Sequence, residues 1–400
     1  MTYAAIVRAQ FAKHRGAVYA FRVFLGLFVV ATYAPAIALD VPFWTDLEGA
    51  PSSPWLRSLF DPRVFPMEVD VFFNLLMGTL PLLAAVVLLA RRRRRALVLL
   101  WCALHLGGFV WLSHERAGFR QADREYPREI HAKGARAVWP VLRHHPSGRA
   151  SEFTLTKPLR RGTLQPGAPA PADEVWPYYL LGADHLGNDV FTRLLYGARM
   201  SLTVGVIAVG IYVLIGVTLG SLAGYFGGWV DDLLLFFAQV VMTIPQLFLI
   251  LFILSVVRQA SIYHIMLVVG GLGWPNVMRL VRGEFLRQRE IDYVTAARAL
   301  GLGDRRVIFR HIVPNSLAPV FVSATFGVAG AILLESTLSF LGLVSVEAPS
   351  WGQLLKAGFE NSTNGRHLVW TAGGAIFFTV LVLNLIGEGL RDALDPKLRR

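Results

Sequence analysis

Eight apolar runs limit what this 400-residue chain can become. They lie at about 17–39, 70–90, 96–113, 200–224, 233–257, 261–280, 317–340 and 367–388. Each comes close to or exceeds the ~20 residues a helix needs to cross a hydrocarbon core of ~30 Å. None alternates apolar and polar residues at period two. Inside lipid every backbone N–H and C=O must find a partner within the segment, so helices rather than a barrel are expected. A length that could hold two or three soluble domains is overruled by a composition of 54% hydrophobic and 16% charged residues.

The formal net charge of +12 is read as orientation signals and attraction to anionic headgroups of membrane lipid. Nucleic acid is not an expected partner, because basic residues interleaved with exposed aromatics on a soluble stretch are missing. The lone cysteine, Cys102, sits in an apolar run, so no intrachain disulfide and no cysteine-based metal site is expected. His131, His144 and His145 lack acidic or cysteine partners at ligand spacing and read as exposed loop histidines.

Arginines in short loops orient the spans. The run Arg91–Arg95 between the second and third spans places that hairpin tip in the cytoplasm. Eight spans then put both termini in the cytoplasm, in keeping with Arg8, Lys13 and Arg15 at one end and Arg391, Lys397, Arg399 and Arg400 at the other. The first run, Ala17–Leu39, ends in small residues like a signal-peptidase site but has the length of a full span, so it reads as an uncleaved signal anchor. Arg22 lies near its cytoplasmic end, where it can snorkel. Gly205, Gly210, Gly216 and Gly220 read as helix-packing positions, and Pro245 and Pro275 as prolines tolerated within spans.

Four segments follow: 1–40 as N-terminus and first span, 41–113 as outer loop and hairpin (70–90 and 96–113), 114–199 as a long outer loop, and 200–400 as the main membrane unit. The outer loop carries a Pro/Gly-rich stretch, Pro158–Pro177, that reads as an extended linker. Ahead of it, 115–150 is basic with scattered aromatics and reads as a small ordered cap.

The segment 281–316 is far longer than a connection between two spans requires, and it falls on the cytoplasmic side with Arg282, Arg287, Arg289, Arg298, Arg305, Arg306 and Arg310. A first helix is expected over about Gly283–Leu300, broken at Gly301 and Gly303. Asp304 is expected to cap a second short helix running to about Val313, with Pro314 in the first turn of the next span. Tyr293, Ala296, Ala297 and Leu300 are expected on one face, over which a partner's groove could close.

Ala296-Ala297, Gly301 and Pro314 have the spacing Ala-Ala-x3-Gly with a proline thirteen residues later. This resembles the cytoplasmic coupling loop of the membrane subunits of ATP-driven (ABC) importers. The usual leading Glu is Thr295 here, and the usual Ile and Leu are His311 and Val313. Tyr293-Val294 and His311–Asn315 resemble the peptide-transporter branch. LLGADHLGNDVFTRLLYGARMSL (180–202), AGYFGGWVDD (223–232), ESTLSFLGL (335–343), PSWGQLL (349–355) and IGEGLRDALDPKLR (386–399) are similar to further blocks of that family, in its order. The likeness covers about 180–400 and the first span. The Ile-Gly-Glu ending and long outer loop are similar to the relatives that import microcin-type peptides.

The resemblance implies an all-α polytopic bundle, a six-span permease core with an extra two-span hairpin inserted near the N-terminus. It implies a bacterial inner-membrane subunit of a dipeptide/oligopeptide importer, partnered by a second permease subunit, cytoplasmic ATPase subunits and an extracytoplasmic substrate-binding protein. ATP would be bound by the ATPase subunits, since this chain has no Gly-x4-Gly-Lys-Ser/Thr loop, and no cofactor or catalytic residue is expected on it. Tyr293, Ala296, Ala297 and Gly301 would form the docking face, and Pro314-Asn315 the joint to the seventh span. Asp184, Gly187 and Asp189 would lie at the outer face, as a brace, a binding-protein contact or simply caps and turns. Glu335 and Ser339 would sit near the pathway at the outer end of the seventh span, Glu335 as a buried, hydrogen-bonded carboxylate.

Two other classes are weaker. A secondary active transporter needs carboxylates or half-helices at mid-bilayer in symmetric positions, and the second half of the chain does not mirror the first. A membrane enzyme needs a nucleophile–base pair or metal triad, and Ser339 and His367 have no partners at a recognised spacing.

Overall fold

Prolines and glycines decide where the apolar runs bend. In the computed structural model, which describes residues 3–47, 49–89, 93–120, 125–145, 154–161, 178–257, 260–343 and 349–394, the chain opens with α1 (Tyr3–Lys13), α2 (Arg15–Thr32) and α3 (Ala34–Ile37). A strand β1 (Trp44–Thr45) and α4 (Pro54–Ser58) lead to the hairpin of α5 (Glu68–Leu89) and α6 (Arg94–His114). The segment between α6 and the next long helix carries α7 (Tyr126–Lys133), β2 (Ala137–Val138), β3 (Arg160–Arg161) and β4 (Tyr178–Tyr179). There follow α8 (Val190–Phe226), α9 (Gly228–Thr243), α10 (Gln246–Val256), α11 (Ile262–Leu272), α12 (Trp274–Gln288) and α13 (Asp292–Ala299). The chain ends with α14 (Asp304–Arg306), a π-helical segment (Val307–Ile312), α15 (Val313–Phe340), α16 (Trp351–Glu360) and α17 (Arg366–Leu394).

Among the described residues seven helices are long and apolar enough to cross a membrane, or eight when α9 and α10 count as one span. The run expected as one span over 233–257 is that pair, bent by 81°. Pro245 supplies the cause. It has no N–H to donate back into α9, and it drives the preceding Ile244 into extended backbone at φ −90°, ψ 129°. The expected span 261–280 continues beyond its predicted end, because α12 starts with Pro275 in its first turn and runs on to Gln288.

α8 is the central helix. Gly216, Gly220 and Gly224 recur every four residues on one side, where a Cβ would collide with Val277, Met278, Val281, Arg282 or Phe285 of α12. Small residues at that spacing let two helix backbones close on each other. Gly205 plays the same part against Val328 and Ile332 of α15, while Gly210 faces open space and has no packing role.

The hairpin leans on this bundle by one half only. The buried residues of α5 all fall between Val69 and Met77, and α6 buries just His105 and Leu112. Trp101 donates to the Thr79 carbonyl at 3.0 Å, and His105 shares a 3.0 Å hydrogen bond with the Thr79 hydroxyl, so the two helices are fastened to each other in mid-length.

Two distant segments form a cap at one end of the bundle. β1 pairs antiparallel with β2, Trp44 opposite Val138 and Thr45 opposite Ala137. Leu39, Leu59 and Phe65 share an apolar core with Tyr126 and Ile130 and with Leu195 and Tyr196 of α8. The described residues of 115–145 therefore pack against those of 38–67. His144 is bound at 3.0 Å to the Tyr178 carbonyl and stacks on Tyr179. Arg91 and Arg92, residues 162–177 of the Pro/Gly-rich stretch, and Lys397, Arg399 and Arg400 lie outside the described residues.

Candidate functional site

The loop after α12 is built from a short helix with a sharp stop. α13 begins after Ile291 in extended backbone and ends at a Schellman turn. The Leu302 N–H donates to the Ala297 carbonyl at 3.2 Å and the Gly301 N–H to the Arg298 carbonyl at 2.9 Å. Gly301 has φ +74°, and a Cβ there would meet nothing within 4 Å. Its requirement is one of backbone conformation, not space.

The expected single helix over 283–300 is two helices, α12 and α13, separated at residues 289–291. The expected second short helix is the start of a continuous helical stretch, Asp304–Phe340, with Gly303 rather than Asp304 at the cap position. Its π-helical part spans Val307–Ile312, so Pro314 lies within one helical run and not after a break.

The four residues expected on one face of α13 are divided. Residues three and four apart share a helix face, and Val294, Ala297 and the half-buried Tyr293 turn inward onto Phe285, Val307, Ile308 and Ile312. Ala296 and Leu300 point outward, Leu300 with 82% of its surface exposed. Ala297 is therefore part of the floor under the helix and not of its outer surface.

Tyr293 joins this helix to the next span. Its hydroxyl donates to Gln288 Oε1 at 2.7 Å, and Asn315 Nδ2 reaches the Tyr293 hydroxyl at 3.4 Å and the His311 carbonyl at 2.9 Å. On the other side Arg298 lies over the Tyr225 ring, 4.8 Å from its centroid, while the Tyr225 hydroxyl donates to Asp304. One short helix is thus tied to the ends of α8, α12 and α15.

At the opposite end of the bundle, Glu335 is fully buried and accepts from Ser201 of α8 at 3.0 Å, Ser339 at 2.7 Å and Ser350 at 2.7 Å. Ser350 also accepts from the Gly352 N–H and so caps α16, and Trp351 Nε1 donates to the Leu194 carbonyl at 3.0 Å. Glu335 and Ser339 are thus in one cluster that binds α8, α15 and α16 together.

Asp184 and Asp189 are buried too, which takes them out of the outer surface. Asp184 accepts from the Leu186 and Asn188 N–H groups at 2.8 and 2.9 Å and pairs with Arg193 at 3.2 Å. Asp189 caps α8, accepting from the Thr192 N–H and hydroxyl, both at 2.7 Å. Burial pushes the Asp189 carboxyl up from its ordinary value, against the opposing pull of His144 and the Thr192 hydrogen bonds. Gly187, at φ +82°, makes the turn between them. Burial likewise raises the Tyr179 phenol beside these carboxylates.

A further buried group was not singled out from sequence. Arg199 of α8 has no exposed surface, and its guanidinium donates to the Ala31 and Thr32 carbonyls, Asp70 Oδ1 and Asn74 Oδ1 at 2.7–3.1 Å. It joins the C-terminal end of α2 to the N-terminal halves of α5 and α8. Arginine and aspartate near the ends of apolar runs were the available signal, but nothing in the sequence pairs them.

Residues 216–400 match the family model described as binding-protein-dependent transport system inner membrane component. The dipeptide transport system permease protein DppC of Alkalihalophilus pseudofirmus is 38% identical over 251 residues, covering 62% of this chain and 79% of the relative. The oligopeptide transport system permease protein OppC of Bacillus subtilis is 38% identical over 58% of this chain and 74% of its own length. The glutathione transport system permease protein GsiD of Pectobacterium atrosepticum is 37% identical, with coverages of 55% and 73%. A chain of the MetNI methionine ABC transporter in an inward-facing conformation superposes loosely, with a TM-score of 0.42 and 15% identity over 51% of this chain and 96% of its own. Carrying the coupling-loop spacing on a multi-pass helical bundle, and 38% identical to a relative of which it covers 79%, the chain belongs to the binding-protein-dependent transport system inner membrane component family.

Proposed function

We propose that this chain is a membrane-spanning subunit of an ATP-driven peptide importer and that α13 passes the motion of an ATPase subunit to the spans. The observation that carries this is the mechanical tie of α13. It is a short helix with a fixed end at Gly301, and Tyr293 bonds it both to Gln288 at the end of α12 and to Asn315 at the start of α15. A push on the exposed Ala296 and Leu300 cannot be absorbed locally. It moves α15, which carries Glu335 at its far end. The relatives named for dipeptide, oligopeptide and glutathione transport favour a peptide as cargo.

In this reading the loop and both termini are cytoplasmic, a second permease subunit completes the pathway, and a binding protein delivers peptide to the outer side. The 41–113 segment is an addition to the six-span core, which begins again at α8. The test is co-purification with candidate ATPase subunits and peptide-stimulated ATP hydrolysis in reconstituted vesicles. Uptake that survives ATP depletion and follows a proton or sodium gradient would instead favour the secondary transporter, for which the buried Glu335 is a supporting feature.

A further inference from the structure

Beside α13, but on a different helix, lies an open cleft of about 860 Å³ lined by Asp304, Arg305, Arg306, Phe309, Arg310 and Pro314. Its one acidic side chain, Asp304, already accepts the Tyr225 hydroxyl. Arg305, Arg306 and Arg310 make no ion pair with any described residue, whereas Arg282, Arg287 and Arg289 nearby each have a carboxylate. Arg305 and Arg306 lie in the turn before the π-helical part, and Phe309 and Arg310 lie within it, so one short stretch supplies the three cations and the ring that line the cleft. Phe309 leaves 62% of its surface exposed among these cations.

We propose that this cleft binds the phosphate of an anionic phospholipid, with Phe309 set at the level of the glycerol backbone. Position selects lipid as the occupant. The helix holding the cleft runs unbroken from Asp304 to Phe340 as a candidate membrane span, so Arg310 stands about three turns and Arg305 and Arg306 about four turns before the apolar, exposed Phe321. Guanidinium groups present planar forks that fit phosphate oxygens. An exposed Phe beside basic residues is the pattern of interfacial helices, whose apolar side chains dip below the headgroups while the cations stay among them. A phosphate held there would bridge Arg305 and Arg310 and stiffen the π-helical turn whose His311 carbonyl holds Asn315, so lipid would tune the same joint that α13 pushes.

The test is native mass spectrometry of the purified full chain with dioleoyl phosphatidylglycerol or dioleoyl phosphatidylcholine added. The wild type is expected to retain phosphatidylglycerol in preference to phosphatidylcholine by about tenfold, the size of one or two charge-assisted hydrogen bonds. The variant Arg305→Gln/Arg306→Gln/Arg310→Gln should lose that preference, and the control Arg93→Gln/Arg94→Gln/Arg95→Gln should keep it. If the triple variant fails to fold, Arg310→Gln alone should weaken phosphatidylglycerol retention measurably. Equal retention of the two lipids by the wild type, or undiminished phosphatidylglycerol on the cleft variants, overturns the proposal. So does loss of bound ATPase subunits by the triple variant with phosphatidylglycerol retention unchanged, which would assign the arginines to an acidic protein surface. The lipid measurement needs no ATPase, so its failure leaves the docking role of α13 standing.

Discussion

Arg199 and Asp70 stand 3.1 Å apart inside the bundle, 129 residues apart in the chain. The arginine belongs to α8, at the heart of the membrane unit, and the aspartate to the first turn of the added hairpin. Asn74 one turn further on and two carbonyls at the end of α2 complete the guanidinium's partners, and the rings of Phe73 and Tyr196 lie against it at 5.3 and 5.1 Å. A fully buried cation is tolerated only when its donors are engaged. The hairpin is therefore not an appendage: it supplies the counter-charge for a core helix.

Breaking this pair from one side should be far worse than removing it. Asp70→Leu leaves a buried guanidinium without its anion, a loss of about 3–5 kcal/mol by analogy with other buried pairs. Asp70→Leu/Arg199→Met removes both charges and should recover most of that loss. Thermal unfolding of the detergent-purified chain measures both variants. A double variant no more stable than Asp70→Leu would mean that the other partners of Arg199, not the ion pair, hold the hairpin.

Gly301 tests the α13 assignment through its backbone alone. With open space around its Cα, only the left-handed φ excludes side chains, at about 1–2 kcal/mol for an ordinary residue. Asn tolerates that conformation better than most. Gly301→Asn should therefore keep ATPase co-purification, whereas Gly301→Asp, which adds a charge beside the exposed Leu300, should insert normally yet lose it or uncouple hydrolysis from transport. Normal transport by Gly301→Asp would remove α13 from the docking surface.

The cluster around Glu335 should govern how firmly α16 is held. Glu335→Leu strands the hydroxyls of Ser201, Ser339 and Ser350, each at about 1–3 kcal/mol when buried without a partner. Because Ser350 is also the cap of α16, that helix should loosen first. Hydrogen exchange at residues 352–355 is expected to quicken by about tenfold or more while α12 is unchanged. Uniform change across the bundle would make Glu335 a general stability residue.

Much of this was legible in the sequence because it rests on local rules. Apolar run length located the membrane helices, the Gly301 stop followed from glycine's φ freedom, and the glycines of α8 marked a close helix contact. Three things were not legible, each for a physical reason. Alanines at adjacent positions such as Ala296 and Ala297 lie about 100° apart on a helix, and only the packing of Val294 against Val307 decides which turns inward. Pro245 was visible, but a proline can kink a span or break it, and the 81° bend depends on what surrounds it. Arg199 and Asp70 meet through tertiary structure across the whole hairpin and cap, a pairing that no spacing rule encodes.

The outer loop should respond to pH through Asp189. Its carboxyl is raised above the ordinary 3.8 chiefly by burial, so the folded loop binds a proton more tightly than the unfolded chain does. By linkage the loop is steadiest below the ordinary carboxylate value and loses stability as pH rises from there through the folded value. Asp189→Asn removes the titration yet keeps an oxygen that can accept from the Thr192 N–H and cap α8. Protection of the α8 first turn against hydrogen exchange, after correction for the intrinsic rate, should fall with rising pH in the wild type and stay level in Asp189→Asn. A slope that persists in the variant would show that Asp189 is not its source.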